Sequence, residues 1–200
     1  MGIVTPRLLC IALSYFIGAI PFGYLLVKVF YKTDIRQHGS GNPGATNVWR
    51  TFGKKPGAAT LALDILKGVL PVMTARALFP HEPGISMWCG MAAIVGHNWS
   101  IFLRGKGGKG VATSIGVFLA LIPLPSIIAI VVFLVVFFFS GHVSTGSMAG
   151  AAGLMTGTFI FPTPSVLRLF VLIAGTMVLI KHVPNIKRIV SGTEPKVKFR

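Results

Sequence analysis

Charged side chains are scarce in this chain of 200 residues: they make up 12% of it, whereas hydrophobic residues make up 53%. The mean hydropathy is +0.78. A soluble domain of this size could not place so much apolar surface in one core. The shortage of charge therefore excludes a soluble globular protein and indicates an integral membrane protein.

Cysteine is almost as rare, because only Cys10 and Cys89 occur and both lie within apolar stretches. Neither belongs to a CxxC motif or to a histidine-cysteine pattern with metal-ligand spacing. We interpret both as small core residues and expect no disulfide, no thiol chemistry, no metal and no other cofactor.

Acidic residues are the third shortage: four Asp and Glu stand against 19 Lys and Arg, which gives a net charge of +15. In a soluble protein this excess would suggest a nucleic-acid partner. Here the basic residues lie in short loops beside apolar stretches, where anionic lipid headgroups and the positive-inside rule account for them. We therefore expect membrane lipid, and not nucleic acid, as the partner.

Long apolar runs are abundant, and they cover residues 8–30, 56–79, 85–103, 111–139, 148–161 and 166–180. The first lacks a small-residue cleavage signature and is read as a retained span. The fourth would be roughly 43 Å long as one helix, against about 30 Å of hydrocarbon, and Pro123-Leu124-Pro125 interrupts it. Two short spans are therefore expected there, which makes seven in total.

The distribution of basic residues gives an independent test of this count. With the N-terminus outside, seven spans place residues 31–55, 104–109 and 181–200 on the cytoplasmic face. These segments hold nearly all of the basic loop residues, and only Arg7, Arg76 and Arg168 lie on the other face. Six spans would put the basic tail outside. We predict an all-α, polytopic membrane helical bundle over residues 1–200 as one domain, with a cytoplasmic C-terminus.

The first polar segment, residues 39–50, reads GSGNPGATNVWR. Its glycines and proline free the backbone to direct N–H groups at phosphate oxygens, and Ser40, Asn42, Thr46 and Asn47 add side-chain donors. Arg50 supplies a planar, bidentate cation. An ordinary polar connection would need only a turn, so this composition favours an anion-binding loop.

The second polar segment, residues 96–113, reads GHNWSIFLRGKGGKGVAT. It contains G-x-G-x-x-G over residues 105–110, but no strand precedes it and no G-K-[ST] ends it, so a nucleotide fold is excluded. A glycine-rich loop that enters a helix near Val111 still favours phosphate, and Arg104, Lys106 and Lys109 reinforce it. The alternative, a basic turn at lipid headgroups, does not require four glycines in six residues.

The third polar segment, residues 181–196, reads KHVPNIKRIVSGTEPK and follows the last run directly. We expect Asn185 to cap a short interfacial helix whose Ile186, Ile189 and Val190 face lipid. Such a helix could present His182 and Asn185 to a site. A single histidine beside a membrane is, however, more often an interfacial side chain than a catalyst.

In order and spacing, the three segments together resemble the acyl-phosphate-dependent glycerol-3-phosphate acyltransferases of bacteria, the PlsY family. The resemblance covers nearly the whole chain, and residues 58–68 are similar to that family's second span. It implies transfer of a fatty acyl group from acyl phosphate to the 1-hydroxyl of glycerol 3-phosphate. The products would be lysophosphatidic acid and inorganic phosphate, in the first acylation step of phospholipid biosynthesis.

The resemblance also implies roles for individual residues. The central catalytic residues would be Ser40, Arg50, Lys109, His182 and Asn185. Glu194 would be structural. The implied substrate- and phosphate-binding residues are Gly41, Asn42, Ala45, Thr46, Asn47, His97, Asn98, Arg104, Gly105, Lys106, Gly107, Gly108 and Gly110. The protein would act as a monomer in the bacterial cytoplasmic (inner) membrane, with its site at the cytoplasmic face.

Two questions of mechanism remain open on the residues alone. Ser40 could be a nucleophile with His182 as its base, but no G-x-S-x-G context surrounds it, which favours direct transfer with His182 or a substrate phosphate as base. Asp64 and Lys67 lie one helical turn apart and are expected to form a structural ion pair. A transporter of a phosphorylated metabolite is the alternative function, but it would require a site at the membrane midplane.

Overall fold

Residues 4–197 are described by the computed structural model, and over this range the chain is α-helical with no strand. The all-α prediction is confirmed. The helices are α1 Val4–Ala19, α2 Phe22–Tyr31, α3 Ala45–Phe52, α4 Lys54–Leu78, α5 Pro83–Asn98, α6 Val111–Leu121, α7 Pro123–Ser140, α8 Val143–Ile160, α9 Ser165–Lys181 and α10 Val183–Val190.

Prolines set two of the helix boundaries. The fourth apolar run divides as predicted, because α6 ends at Leu121 and α7 begins at Pro123. The first run, predicted as one continuous span, is instead broken at residues 20–21, where the axis bends by 42°. Pro21 has no N–H with which to continue the α1 hydrogen-bond ladder, and this explains the break.

Membrane-spanning potential can be assessed from helix length and composition within residues 4–197. Two helices, Lys54–Leu78 and Pro123–Ser140, are long and apolar enough to cross a membrane, and up to four spans result if each bent pair counts as one. Large apolar side chains face outward, among them Phe138 and Phe139 at 74% and 82% exposure. Such surfaces suit lipid contact. The count of seven spans stays a prediction.

The chain divides into two compact units, of which the first ends at Leu121 and the second begins at Ile122. In the first unit α1 and α5 run parallel: Arg7 pairs with Glu82 near their beginnings, and Ser100 Oγ donates to the Ala19 carbonyl oxygen near their ends. Helix α4 runs antiparallel to α5, since a short turn joins them. This arrangement places the end of α5 beside the first half of α4.

A small apolar core seats the loop between α2 and α3. Val27, Ile35 and Val48 are fully buried, and Tyr24 and Phe52 pack against them. Each helix flanking the loop contributes a member of this cluster. The loop ends are therefore fixed by burial of these side chains.

In the second unit, glycines on α8 allow close packing against α7. A Cβ at Gly146 or Gly150 would press against the backbone and side chain of Phe133. Helix α10 begins after His182, at a 47° bend. The predicted capping by Asn185 is wrong, because Pro184 already lies in the first turn and Asn185 follows it inside the helix.

Candidate functional site

Asn47 organises the loop of residues 38–44. Its side-chain oxygen accepts the Ser40 backbone N–H at 2.9 Å, while Nδ2 donates to the carbonyl oxygens of His38 at 2.9 Å and Asn42 at 3.0 Å. Gly39 has a φ of 58° and no room for a Cβ beside the Asn47 side chain. Asn47 thus closes a turn that only glycine can enter at this position.

Ser40 lies exposed at the outside of this turn, whereas Asn47 is 3% exposed. The Asn42 side-chain oxygen accepts the Gly44 N–H at 2.8 Å, and α3 begins at the next residue. Asn47 was predicted to bind substrate, but both amide hydrogens bond backbone carbonyls. Asn47 therefore holds the turn beneath Ser40, and its direct contact with substrate stays a prediction.

The other predicted residues of this segment lie on the same turn and on α3. Gly41 has a φ of 72°, and Ala45 and Thr46 open the helix. Arg50 is one turn of α3 beyond Thr46 and is partly exposed, with its Nε buried. Ser40, the start of α3 and Arg50 thus form one continuous polar element of the first unit.

The loop of residues 99–110 folds back onto the end of α5. The Gly108 N–H donates to the His97 carbonyl oxygen at 3.0 Å. A Cβ at Gly107 would collide with that carbonyl, and one at Gly108 with the His97 ring. One at Gly110, where φ is 80°, would press on Asn98. Close backbone approach therefore explains Gly107, Gly108 and Gly110, whereas Gly105 has open space around it and a φ of 78°.

Exposure separates the residues of this loop into two groups. Arg104, Gly105 and Lys106 are exposed, and Lys109 is half-buried. His97 and Asn98 are 8% and 0% exposed. The cations thus lie at the surface of the loop, while His97 and Asn98 support it from below. Direct substrate contact by His97 and Asn98 stays a prediction.

A buried ion pair lies next to this support. Lys67 Nζ is 2.7 Å from Asp64 Oδ1, and both side chains are less than 5% exposed. The predicted ion pair is confirmed. Asp64 Oδ1 also lies 3.8 Å from His97 Nδ1, and Lys67 Nζ donates to the Ile20 carbonyl oxygen at 2.8 Å. These two additional contacts join residues 30 or more positions apart, and no local pattern in the sequence announces them.

His182 lies in the second unit, at the junction of α9 and α10. Its Nδ1 is 2.8 Å from the Val178 carbonyl oxygen. A carbonyl oxygen only accepts, so this contact places a proton on Nδ1 and makes Nε2 the acceptor of the neutral ring. The ring is thereby oriented by α9.

Glu194 holds Asn185 in the same unit. Its Oε1 accepts from Asn185 Nδ2 at 2.8 Å and from Ser144 Oγ at 2.7 Å, and its Oε2 accepts from Arg188 Nε at 2.7 Å. Burial raises the pKa of Glu194. These hydrogen bonds and the Arg188 charge lower it by more than burial raises it, so the net shift of the pKa is downward. This geometry gives a physical basis for the implied structural role.

Two observations bear on the expectations about cofactors and cysteine. Within residues 4–197, no three His, Cys, Asp or Glu side chains cluster as metal ligands would. Cys10 and Cys89 are free thiols, yet their sulfur atoms lie only 3.6 Å apart. Sequence reasoning treated the two cysteines separately and missed this contact, because it depends on how α1 packs on α5.

The glycine-rich turns of the first unit, with Lys106 and Lys109 on one of them and Arg50 on the helix that follows the other, have the features of loops that bind phosphate groups. On an apolar helical scaffold, they define a membrane protein suited to a phosphorylated ligand. The family model described as glycerol-3-phosphate acyltransferase matches residues 8–192. The chain belongs to this family.

Individual relatives agree with the family model over nearly the full length. The glycerol-3-phosphate acyltransferase of Trichlorobacter lovleyi is 48% identical over 98% of this chain and 100% of its own. Glycerol-3-phosphate acyltransferase 2 of Moorella thermoacetica is 44% identical over 96% of this chain and 98% of its own.

Solved structures give the same result for the fold. The crystal structure of PlsY, an integral membrane glycerol 3-phosphate acyltransferase, in its glycerol 3-phosphate form matches with a TM-score of 0.91 and 33% identity, over 96% of each chain. The lysophosphatidic acid form of that protein matches with a TM-score of 0.88 and 32% identity, again over 96% of each chain. The chain therefore has the fold of an integral membrane acyltransferase.

Proposed function

We propose that this protein transfers a fatty acyl group from acyl phosphate to the 1-hydroxyl of glycerol 3-phosphate. The products are lysophosphatidic acid and inorganic phosphate, as in the first acylation of phospholipid biosynthesis. Glycerol-3-phosphate acyltransferase activity follows from the family, and our proposal concerns the donor, acyl phosphate. The glycine-rich 99–110 loop, with Lys106 and Lys109 on its surface, is the observation that carries the proposal.

Both substrates in this reaction are phosphorylated, so the site must neutralise two anions while it brings a hydroxyl to a carbonyl. Arg50 and Lys109 supply cations, and Ser40 supplies a hydroxyl on a turn that Asn47 fixes. Groups held in advance by hydrogen bonds need little reorganisation when charge develops in the transition state. Catalysis is then mainly positioning and electrostatic stabilisation.

Direct transfer needs no acylated enzyme, because acyl phosphate is already an activated mixed anhydride. The glycerol 3-phosphate hydroxyl oxygen attacks the acyl carbon, the bond from that carbon to the phosphate oxygen breaks, and phosphate leaves with the electron pair. The hydroxyl proton passes to His182 Nε2 or to a substrate phosphate. The Nδ1 contact of His182 with Val178 supports Nε2 as acceptor. Asn185, held by Glu194, would assist by orientation.

We further propose the topology expected from the charges: seven spans in the bacterial inner membrane, the N-terminus outside, the site at the cytoplasmic face, and a monomer as the active form. The outward apolar side chains and the basic loops support multi-pass insertion. Single cysteines placed in loops of a Cys10→Ser/Cys89→Ser background, labelled from either side, would test it. Labelling of residues 104–109 from outside would contradict it.

The donor is tested directly with purified protein in detergent or lipid. Glycerol 3-phosphate is offered with acyl phosphate, acyl-CoA or acyl carrier protein in turn, and phosphate and lysophosphatidic acid are measured. We expect equal amounts of both products with acyl phosphate only. Equal turnover with a thioester donor would refute the donor assignment. A transporter, the alternative considered from the sequence, would form no product.

A further inference from the structure

The buried Asp64–Lys67 ion pair of α4 also contacts two other parts of the first unit. Its lysine contacts the break between α1 and α2, and its aspartate contacts the histidine that supports the 99–110 loop. An ion pair buried merely for stability would need neither contact, since apolar side chains of similar volume often serve as well.

On one side, Lys67 supports the helix break. Its Nζ donates to the Ile20 carbonyl oxygen at 2.8 Å, and Ser100 Oγ donates to the neighbouring Ala19 carbonyl. Both donors satisfy backbone groups at a break in an apolar helix, where water cannot do so. Beyond the break, Gly23 of α2 lies directly against the Pro43 carbonyl in the 38–44 loop. The lysine therefore supports the position of that loop through α2.

On the other side, Asp64 faces His97. The aspartate Oδ1 lies 3.8 Å from His97 Nδ1, and the opposite edge of the same ring lies against Gly108. The His97 carbonyl oxygen also accepts the Gly108 N–H. A shift of the ring would therefore displace the glycine-rich loop directly.

We propose that Asp64 and Lys67 are positioning residues for the acyl transfer, and that Asp64 sets the affinity for glycerol 3-phosphate through His97 and Gly108. This rests on the proposed function in one respect, namely that the 99–110 loop binds that substrate. The pair thus acts as a common support beneath the two candidate phosphate loops.

The test compares Asp64→Asn with wild type by steady-state kinetics and by thermal unfolding in detergent. We expect the KM for glycerol 3-phosphate to rise by about ten-fold or more, with the KM for acyl phosphate changed by less than about three-fold. Glu82→Gln is the matched control, because it breaks the Arg7–Glu82 ion pair near the beginnings of α1 and α5, whereas the 99–110 loop follows the end of α5. Its KM values should equal those of wild type.

Coupling separates positioning from simple destabilisation. If Asp64 acts through the loop, Asp64→Asn and Gly108→Ala should be strongly non-additive, so that the double variant has a KM close to the worse single one. A loss of folded protein with unchanged KM, or additive effects on KM, would overturn the proposal.

An unpaired buried lysine could prevent Asp64→Asn from folding. In that case Asp64→Asn/Lys67→Met, which removes both charges, carries the same test: a raised KM supports the proposal, and a wild-type KM refutes it. An inactive wild-type protein would instead refute the proposed function. The two failures are therefore distinguishable.

Discussion

The α-carbon of Gly108 lies against the imidazole ring of His97, and the Gly108 N–H donates to the His97 carbonyl oxygen at 3.0 Å. This contact fixes the glycine-rich loop on the end of α5. A methyl group at Gly108 would collide with the His97 ring, so the requirement for glycine here comes from packing within the protein.

Gly108→Ala should therefore raise the KM for glycerol 3-phosphate by about ten-fold or more, because the new methyl displaces either the His97 ring or the loop. Steady-state kinetics on purified protein measures the effect. Gly84→Ala is the control, since a Cβ at Gly84 would have no atom within 4 Å. An unchanged KM in Gly108→Ala would contradict the role given to this contact.

Arg50→Lys should lose most activity although the positive charge is kept. A point ammonium cannot reproduce the two parallel contacts of a guanidinium with phosphate, and loss of a charge-assisted hydrogen bond of about 1.5–3 kcal/mol corresponds to roughly a 10- to 150-fold loss in kcat/KM. Arg36→Lys is the control, because Arg36 is exposed and pairs with Asp34. Near-normal turnover of the folded Arg50→Lys protein would remove Arg50 from the site.

Asn47→Asp should impair activity even though its size is unchanged. The aspartate can still accept the Ser40 N–H, but it loses the Nδ2 donor that bonds the His38 and Asn42 carbonyl oxygens. Leaving these groups unmatched costs about 1–3 kcal/mol and loosens the turn that carries Ser40. Activity equal to wild type, measured alongside thermal unfolding, would show that the hydrogen bonds donated by Asn47 Nδ2 are dispensable.

Glu194→Gln should lower the melting temperature at neutral pH, because an amide cannot accept from Asn185, Ser144 and Arg188 together. We expect a loss of about 1–3 kcal/mol, at about 2–4 °C per kcal/mol for a chain of this size. Glu82→Gln is the control, since its ion pair with Arg7 is only half-buried and contributes little to stability.

The same substitution has a pH dependence of defined sign. The pKa of Glu194 is lowered in the folded state, so its stabilisation is present above the unfolded pKa of about 4.3 and is lost as pH falls through the folded value. The difference in melting temperature between wild type and Glu194→Gln should therefore become smaller below about pH 4. A difference in melting temperature that grows in acid would contradict the conclusion that Glu194 is a hydrogen-bonded carboxylate in the folded protein.

Local signals predicted much of this fold. Pro123 marked the start of α7, and the glycines of residues 105–110 marked a loop of close backbone approach. Proline and glycine act on the backbone where they stand, so such features can be read from the sequence. The same reasoning should have predicted a break at Pro21, but the uninterrupted apolar character of the first run concealed it.

Contacts between distant residues could not be predicted in this way. The proximity of Asp64 to His97 and of Cys10 to Cys89 depends on how α5 packs on its neighbours. Asn185 was assigned a cap because asparagine favours that position, yet a tertiary contact with Glu194 determines where its side chain lies. The capping propensity of asparagine therefore did not predict the position of Asn185, because its contact with Glu194 depends on tertiary packing.

The central claim is direct transfer from a phosphorylated donor to glycerol 3-phosphate, without an acylated enzyme. Purified protein is incubated with acyl phosphate alone, then with glycerol 3-phosphate added, while phosphate release and the intact mass of the protein are followed. We predict no mass change and no stoichiometric phosphate burst until the acceptor is present. An acyl adduct on Ser40 that glycerol 3-phosphate discharges at the turnover rate would contradict the account.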